Sequence, residues 1–118
     1  SARTRAYAPY SQFRVGAAVM PVGSNRIYAG CNVENASYGA TICAERAAIL
    51  SMISDLGKER LGLVVVVTDA SPVAVPCALC LQVIAEFADQ SLPIHLASVE
   101  GIERSHTLGE LLPHPFRL

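Results

Sequence analysis

The alternation of apolar and polar residues divides the first part of the chain into short strands. Residues 13–22 form an apolar, strand-like run that ends at the hairpin signal Gly23-Ser24-Asn25, so residues 27–33 are predicted to pair with it. The β-branched run 61–68 has the length and composition of a buried central strand, and residues 93–99 predict another. The pattern therefore indicates four strands.

Helical spacing fills the segments between these strands. After the polar stretch 34–41, apolar residues recur every three or four positions from Ala44 until Gly57 stops the run. A second helix is predicted from Cys77, with a proline just before it at a position that helix starts favour, and a short closing helix is predicted over residues 108–112. Strands that alternate with helices predict an α/β layered domain.

Length and composition limit the size of the protein and the kind of partner. A chain of 118 residues is enough for one domain, predicted to span residues 1–118. Only 16% of the residues are charged, against roughly 25% in an average domain, and 52% are hydrophobic. Apolar surface left after folding predicts a homo-oligomer.

Charge and hydropathy exclude two classes of partner. The net charge is -1 and the nine Lys and Arg residues are scattered, so a nucleic acid polymer is not expected and the substrate should be small. The longest apolar run is strand-sized, and the first residues lack the apolar core of a secretory signal. These features predict a soluble, cytoplasmic protein without a membrane partner.

Three cysteines and a glutamate carry the candidate chemistry. Cys43 lies two residues before Glu45, and a later Pro-Cys-x-x-Cys contains Cys77 and Cys80. Residues two apart can converge on one ion only at the first turn of a helix, where side chains tilt toward the N-terminus. Two helix N-termini favour thiolates. Three ligands predict one Zn²⁺ per chain with an open fourth position for water, which is typical of hydrolytic zinc.

Two neighbouring residues complete this interpretation. A divalent metal with three thiolate ligands forms a cluster whose formal charge is -1, so a compensating cation is expected beside it. Arg46 is the candidate partner of the sulfurs. Glu45 is the candidate proton carrier, which takes a proton from water and delivers it to a ring nitrogen and then to the leaving amine. A Cys-x-x-Cys alone is equally typical of a redox pair or a structural zinc knuckle.

Several further motifs agree with one family. They are Ala6-Tyr7-Ala8-Pro9-Tyr10-Ser11, Val15-Gly16-Ala17-Ala18, Cys31-Asn32-Val33-Glu34-Asn35-Ala36-Ser37-Tyr38, Cys43-Ala44-Glu45-Arg46 and Gly109-Glu110-Leu111-Leu112-Pro113. On these motifs the chain resembles the small homotetrameric zinc-dependent cytidine deaminases, nearly from end to end. The resemblance implies a three-layer α/β/α fold with a mixed five-stranded sheet. It also implies hydrolytic deamination of cytidine and 2'-deoxycytidine in pyrimidine salvage.

The resemblance implies roles for six substrate-binding residues. Phe13 would stack on the pyrimidine, Asn32 and Glu34 would bind the ribose hydroxyl, and the backbone of Ala44 would read the base. An aromatic face suits a planar base, and a donor with an acceptor suits a sugar diol. Tyr38 and Phe116 would come from adjacent subunits, so that sites are shared within a homotetramer.

The second half-motif departs from the family pattern, which usually has Gly at Ala78 and Arg at Leu81. The missing charge would leave the zinc cluster less compensated, or would mark a site shaped for a bulkier substituent on the amine. The second reading corresponds to a relative acting on N4-substituted cytidines or a nucleoside antibiotic such as blasticidin. Two other classes remain open: a non-catalytic zinc-bound module, and a thiol-disulfide protein using Cys77 and Cys80.

Overall fold

The computed structural model describes residues 1–118. One five-stranded sheet has the order β2-β1-β3-β4-β5 and carries three α-helices. The strands are β1 (Gly16–Pro21), β2 (Tyr28–Cys31), β3 (Leu61–Val67), β4 (Pro93–Ser98) and β5 (Gly101–Thr107), and the helices are α1 (Ala44–Leu56), α2 (Ala78–Glu86) and α3 (Leu108–Leu111). Two 3-10 helices cover Ala2–Arg5 and Tyr38–Ala40. The predicted α/β class and mixed five-stranded sheet are confirmed.

The sheet is mixed because one pair of strands runs parallel. Strand β1 pairs antiparallel with both β2 and β3, β4 pairs antiparallel with β5, and β3 pairs parallel with β4. A parallel pair needs a crossover connection, and α2 provides it. Helix α2, which begins at the second zinc motif, therefore follows the central strand β3 and leads to β4.

One face of the sheet is covered much more completely than the other. Val64 and Val66 of β3 are buried beside Ile94 and Leu96 of β4, and they share one core with residues of all three helices. On the opposite face Val65 is only half-buried. The 3-10 helix at Ala2–Arg5 lies on that second face, where a Cβ at Gly16 would stand 2.9 Å from the Cβ of Arg3.

Close contact between β2 and α1 fixes the position of the first zinc-motif helix. Gly30 faces the first turns of α1, and a Cβ at this residue would lie 2.6 Å from the amide nitrogen of Ala48 and 2.7 Å from the carbonyl oxygen of Ala44. Backbone cannot yield as a flexible side chain can. The absence of a side chain at Gly30 thus sets how near the start of α1 can approach the sheet.

Most predicted elements agree with the structure to within a few residues, with three differences. Residues 13–15 do not belong to β1, which begins at Gly16. Pro76 precedes Cys77, the N-cap of α2, and so lies just outside the helix. Strand β5 was not located in the sequence, because its side chains are mostly exposed and include Glu103 and Arg104. None of the three α-helices combines the length and apolar character needed to cross a bilayer.

Candidate active site

The structure brings the three motif cysteines together at two helix N-termini. Cys43 is the N-cap of α1, Cys77 is the N-cap of α2, and Cys80 lies in the first turn of α2. The three Sγ atoms lie within 4.8 Å of one another, and ligands about 2.3 Å from a tetrahedral zinc stand roughly 3.8 Å apart. The donor set and spacing fit zinc.

The electrostatics of the cluster also favour a cation. Partial burial opposes ionisation of Cys77, but backbone N–H groups of Cys80 and Leu79 and the neighbouring thiols outweigh it and lower the pKa of that thiol. Burial, with the negative charges of Glu45 and Cys43, raises the pKa of the Cys80 thiol. Three thiolates this close together would repel one another, and a bound divalent metal would compensate their charge.

Arg46 supplies a fixed positive charge beside the sulfurs. Its Nη2 donates to Cys43 Sγ at 3.4 Å and to the carbonyl oxygen of Thr41 at 3.2 Å. The bond to the Cys43 sulfur is the chief reason that the pKa of the guanidinium is raised above its ordinary value. The uncharged side chain of Leu81 is buried in the hydrophobic core and adds no charge at the cluster.

Glu45 is a buried carboxyl group at the start of α1. Only 4% of the residue is exposed. Burial raises its pKa, and the opposing effects of its own backbone N–H and of Arg46 do not cancel this. A carboxyl group with a raised pKa holds and releases a proton more readily near neutral pH, as general acid–base catalysis requires.

A cavity of about 260 Å³ lies against the sulfur cluster. The predicted residues on its wall are Phe13, Asn32, Glu34, Cys43, Ala44, Glu45 and Cys77. A second cavity, of about 310 Å³, shares Ser11, Glu34 and Thr41 with the first and is lined by Tyr10 and Tyr38. Proton carrier, sulfur cluster and predicted nucleoside contacts thus face one space.

Asn32 and Glu34 are already engaged in hydrogen bonds to the segment that carries Phe13. Asn32 is 8% exposed, and its amide bonds to the backbone of Phe13 and Val15. The Glu34 carboxylate accepts bonds from Ser11 and Tyr10, and the Ser11 hydroxyl is the chief reason that the pKa of Glu34 is lowered. Both side chains are preorganised rather than free.

Two of the predicted substrate-binding residues do not line the 260 Å³ cavity. Tyr38 is 75% exposed and packs edge-on against Tyr10, with ring centroids 5.8 Å apart. Phe116 is 69% exposed, while its backbone N–H and carbonyl form reciprocal hydrogen bonds with the side chain of Gln82 on α2. The ring of Phe116 therefore projects outward from an anchored tail.

The cavity also has lining residues that the sequence did not identify. They are Ser11, Val15, Thr41, Val66, Thr68, Ala74 and Val75. Thr68 directly follows β3, and ligands of α/β proteins often bind beyond the carboxyl ends of strands, so its place offered a signal. Ser11 offered none beyond its place in a turn.

Comparisons with known proteins agree on one family. A family model for the cytidine and deoxycytidylate deaminase zinc-binding region matches residues 1–96. The chain is 44% identical to a cytidine deaminase of Sporosarcina psychrophila over 98% of this chain and 83% of that protein. It is 43% identical to one of Mycobacterium tuberculosis over 96% of this chain and 80% of that protein.

Solved structures give the same result for the fold. Cytidine deaminase from Burkholderia pseudomallei superposes with a TM-score of 0.88 at 39% identity, over 98% of this chain and 91% of that chain. The Mycobacterium tuberculosis enzyme superposes with a TM-score of 0.84 at 41% identity, over 99% and 89% of the two chains.

Proposed function

The chain belongs to the cytidine deaminase family, and we propose that it hydrolyses cytidine and 2'-deoxycytidine to uridine and 2'-deoxyuridine with release of ammonia. One observation carries the proposal: buried Glu45 and the sulfur cluster face the same cavity as the aromatic and polar residues that suit a nucleoside. The reaction serves pyrimidine salvage, which takes place in the cytoplasm, where reducing conditions keep cysteine ligands as thiols.

Cys43, Cys77 and Cys80 would hold one zinc ion per chain. When bound, the zinc supplies a Lewis acid that makes water a competent nucleophile near neutral pH. Arg46 stabilises the ligand set by placing its guanidinium against the Cys43 sulfur. Helix α2 contains no arginine, and Leu81 stands at the position where the family pattern has one, so Arg46 has no second arginine from α2 to share this role.

Glu45 moves the protons of the reaction. It takes a proton from the water that attacks C4 and delivers it to N3 of the pyrimidine ring. The same carboxyl group then takes the proton of the new hydroxyl at C4 and delivers it to the amine, so that ammonia leaves as the C4 carbonyl forms. The burial that raises the pKa of Glu45 suits it to both steps.

Four residues would bind the nucleoside. The exposed ring of Phe13 stacks on the base, and the backbone of Ala44, in the first helical turn where N–H groups lack intrahelical partners, reads it. Asn32 and Glu34 bind the ribose hydroxyl, using the donor and acceptor capacity left by their hydrogen bonds to the protein.

We propose that the active form is a homotetramer in which neighbouring subunits complete each site. The outward rings of Tyr38 and Phe116 support this, because they are exposed apolar groups that a neighbouring subunit would cover. Lys and Arg residues are too few and too scattered for a nucleic acid polymer to be a partner. Sedimentation velocity tests the assembly, and a species of one-chain mass would contradict it.

The structure gives no support for a site widened for larger amine substituents. Ala78 and Leu81, the two departures from the family pattern, do not line the cavity, and Leu81 is buried. A redox role for Cys77 and Cys80 would not explain why Cys43 and Glu45 lie at the same site. Unsubstituted cytidine is therefore the proposed substrate.

The deciding experiment follows the ultraviolet change as cytidine becomes uridine. Zinc-loaded wild-type protein should convert cytidine, and Glu45→Ala should retain about one zinc per chain while kcat falls by about 10³-fold or more. Glu103→Gln, which removes an exposed carboxylate on β5, is the matched control and should behave as wild type. A zinc-loaded wild-type tetramer without turnover would contradict the proposal.

A further inference from the structure

A chain of hydrogen bonds joins the proposed sugar-binding carboxylate to the proposed base-stacking residue. The hydroxyl of Ser11 donates to Glu34 Oε2 and accepts from the backbone N–H of Phe13 at 3.0 Å. The other carboxylate oxygen, Oε1, accepts from the backbone N–H groups of Ser11 at 3.1 Å and Tyr10 at 2.9 Å. Ser11 is thus the one side chain bonded to both partners.

Asn32 fixes the other side of the same segment. Its Nδ2 donates to the carbonyl oxygen of Phe13 at 2.8 Å, and its Oδ1 accepts from the N–H of Val15 at 2.9 Å. Asn32 and Glu34 both follow β2, so two anchors from one short stretch hold residues 11–15. The N–H and the carbonyl group of Phe13 are both occupied by side chains of this unit.

The turn that these bonds hold is not one that the free chain favours. Gln12, between Ser11 and Phe13, has φ of 58° and is the only residue other than glycine with a positive φ. Side chains rarely adopt this conformation without compensation. The hydrogen bonds on either side of Gln12 provide the compensation, and losing one of them releases the turn that presents Phe13.

We propose that Ser11 is a positioning residue that couples the Phe13 ring to the Glu34 carboxylate, so that base and sugar are bound by one preorganised unit. This inference rests on the proposed function. Ser11 lies on the cavity wall but acts through Phe13 and Glu34. No hydrogen bond links Phe13 or Glu34 to the sulfur cluster, so the loss of Ser11 weakens binding and leaves the chemical step largely intact.

The test is a double-mutant cycle between Ser11→Ala and Phe13→Leu, read as KM and kcat for cytidine and as Kd for uridine. Ser11→Ala should raise KM and Kd by about tenfold, with kcat changed less than about threefold. In the Phe13→Leu background the same change should have less than about a threefold effect, because the aromatic ring that Ser11 couples to Glu34 is gone. Ser11→Thr, which keeps a hydroxyl, should restore most of the affinity.

Ser24→Ala is the matched control. The Ser24 hydroxyl accepts from the N–H of Arg26 at 3.0 Å, the same two-residue pattern as Ser11 with Phe13, but it lies in the β1–β2 hairpin away from the cavity. This variant should leave KM and Kd unchanged. Should Ser11→Ala not fold, Ser11→Cys keeps the side-chain volume with a much weaker hydrogen-bonding group and replaces it in the cycle.

The outcomes separate this inference from the proposed function. Wild-type turnover with an unchanged KM in Ser11→Ala, or effects of Ser11→Ala and Phe13→Leu that simply add, would overturn the positioning role alone. Wild-type protein that neither converts cytidine nor binds uridine would overturn the proposed function and this role with it. If every variant binds zinc fully, damage to the sulfur cluster is excluded as the cause of any change in KM or Kd.

Discussion

The two ends of the cavity are built by different physical means. At the sulfur end, Cys43 is the N-cap of α1, and Glu45 and Cys80 lie in the first turns of α1 and α2, which both pack against the hydrophobic core. At the nucleoside end, Phe13 lies on a turn outside any strand or helix, and side chains of Ser11 and Asn32 hold it. One end is rigid through packing and the other through a small polar network.

Because of this difference, substitutions at the two ends of the cavity should affect different measured quantities. Changes at the sulfur end should remove metal or the chemical step, because the groups there act directly. Changes at the nucleoside end should alter affinity first, because the network only places the binding groups. Substitutions that affect both together would show that the two ends are not separable.

The largest effect is expected from Cys80→Ser. The buried thiolate is one of only three ligands, and a serine hydroxyl is a poor zinc ligand, so bound zinc should fall from about one per chain to almost none. Turnover should be lost with it. Zinc is measured by atomic absorption after gel filtration. Cys31→Ser, at a cysteine outside the cluster, is the control, and equal zinc loss in both variants would argue against the assigned ligands.

The next largest effect is expected from Gly30→Ala, which tests whether packing fixes the sulfur end. The added Cβ meets the backbone of α1 at two points closer than 3 Å, so the helix must move away from β2. Overpacking of this kind costs about 2 kcal/mol of unfolding free energy. We expect urea denaturation to show this loss, with a fall in kcat. Ala29→Gly is the control for the effect of an Ala/Gly exchange on the stability of β2, because Ala29 is the exposed neighbour of Gly30. A variant with wild-type kcat would contradict the packing argument.

A smaller, pH-dependent effect is expected at the nucleoside end. Hydrogen bonds from Ser11 and Tyr10 lower the pKa of Glu34 below its ordinary value of 4.5. Stability from a carboxylate with a lowered folded-state pKa is present above the unfolded value and is lost as pH falls through the folded value. The difference in unfolding free energy between wild type and Glu34→Gln should therefore be constant above about pH 5 and shrink below 4.5. A difference that does not change with pH would contradict this linkage.

The smallest effect is expected far from both ends, at Thr107→Ala. Thr107 and Glu110 form a capping box at the start of α3, in which each side chain bonds to the other residue's backbone N–H. Loss of the cap should cost about 1 kcal/mol of unfolding free energy. It should leave KM and zinc content unchanged, since neither residue lines the cavity. A raised KM would show that the nucleoside end depends on the whole fold rather than on its own network.

The same contrast explains what could be predicted from sequence. The sulfur end is encoded locally: Cys43, Glu45 and Arg46 are contiguous with one helix start, and Cys77 and Cys80 with another. Periodicity therefore located those helices to within a residue or two. The five-stranded sheet was implied by family resemblance, whereas β5 gave no pattern of its own because it is an exposed, charged edge strand.

The nucleoside end depends on contacts that no local pattern contains. Phe13 reads as part of a strand from its neighbours, but Asn32, 19 residues later, holds its carbonyl group in a turn. Ser11 gains its role from Glu34, which is 23 residues away. The positive φ of Gln12 follows from these distant bonds rather than from its own preference. The roles of such residues can be identified only from the folded structure.

The most direct test of the separation between the two ends is a calorimetric titration of cytidine into zinc-loaded Glu45→Gln. This variant lacks the proton carrier but keeps the sulfur cluster, Phe13, Ser11, Asn32 and Glu34. We predict a Kd within about fivefold of the wild-type Kd for uridine, alongside a kcat lowered by about 10³-fold or more. A zinc-loaded variant that no longer binds cytidine, or that still deaminates it at the wild-type rate, would contradict the account.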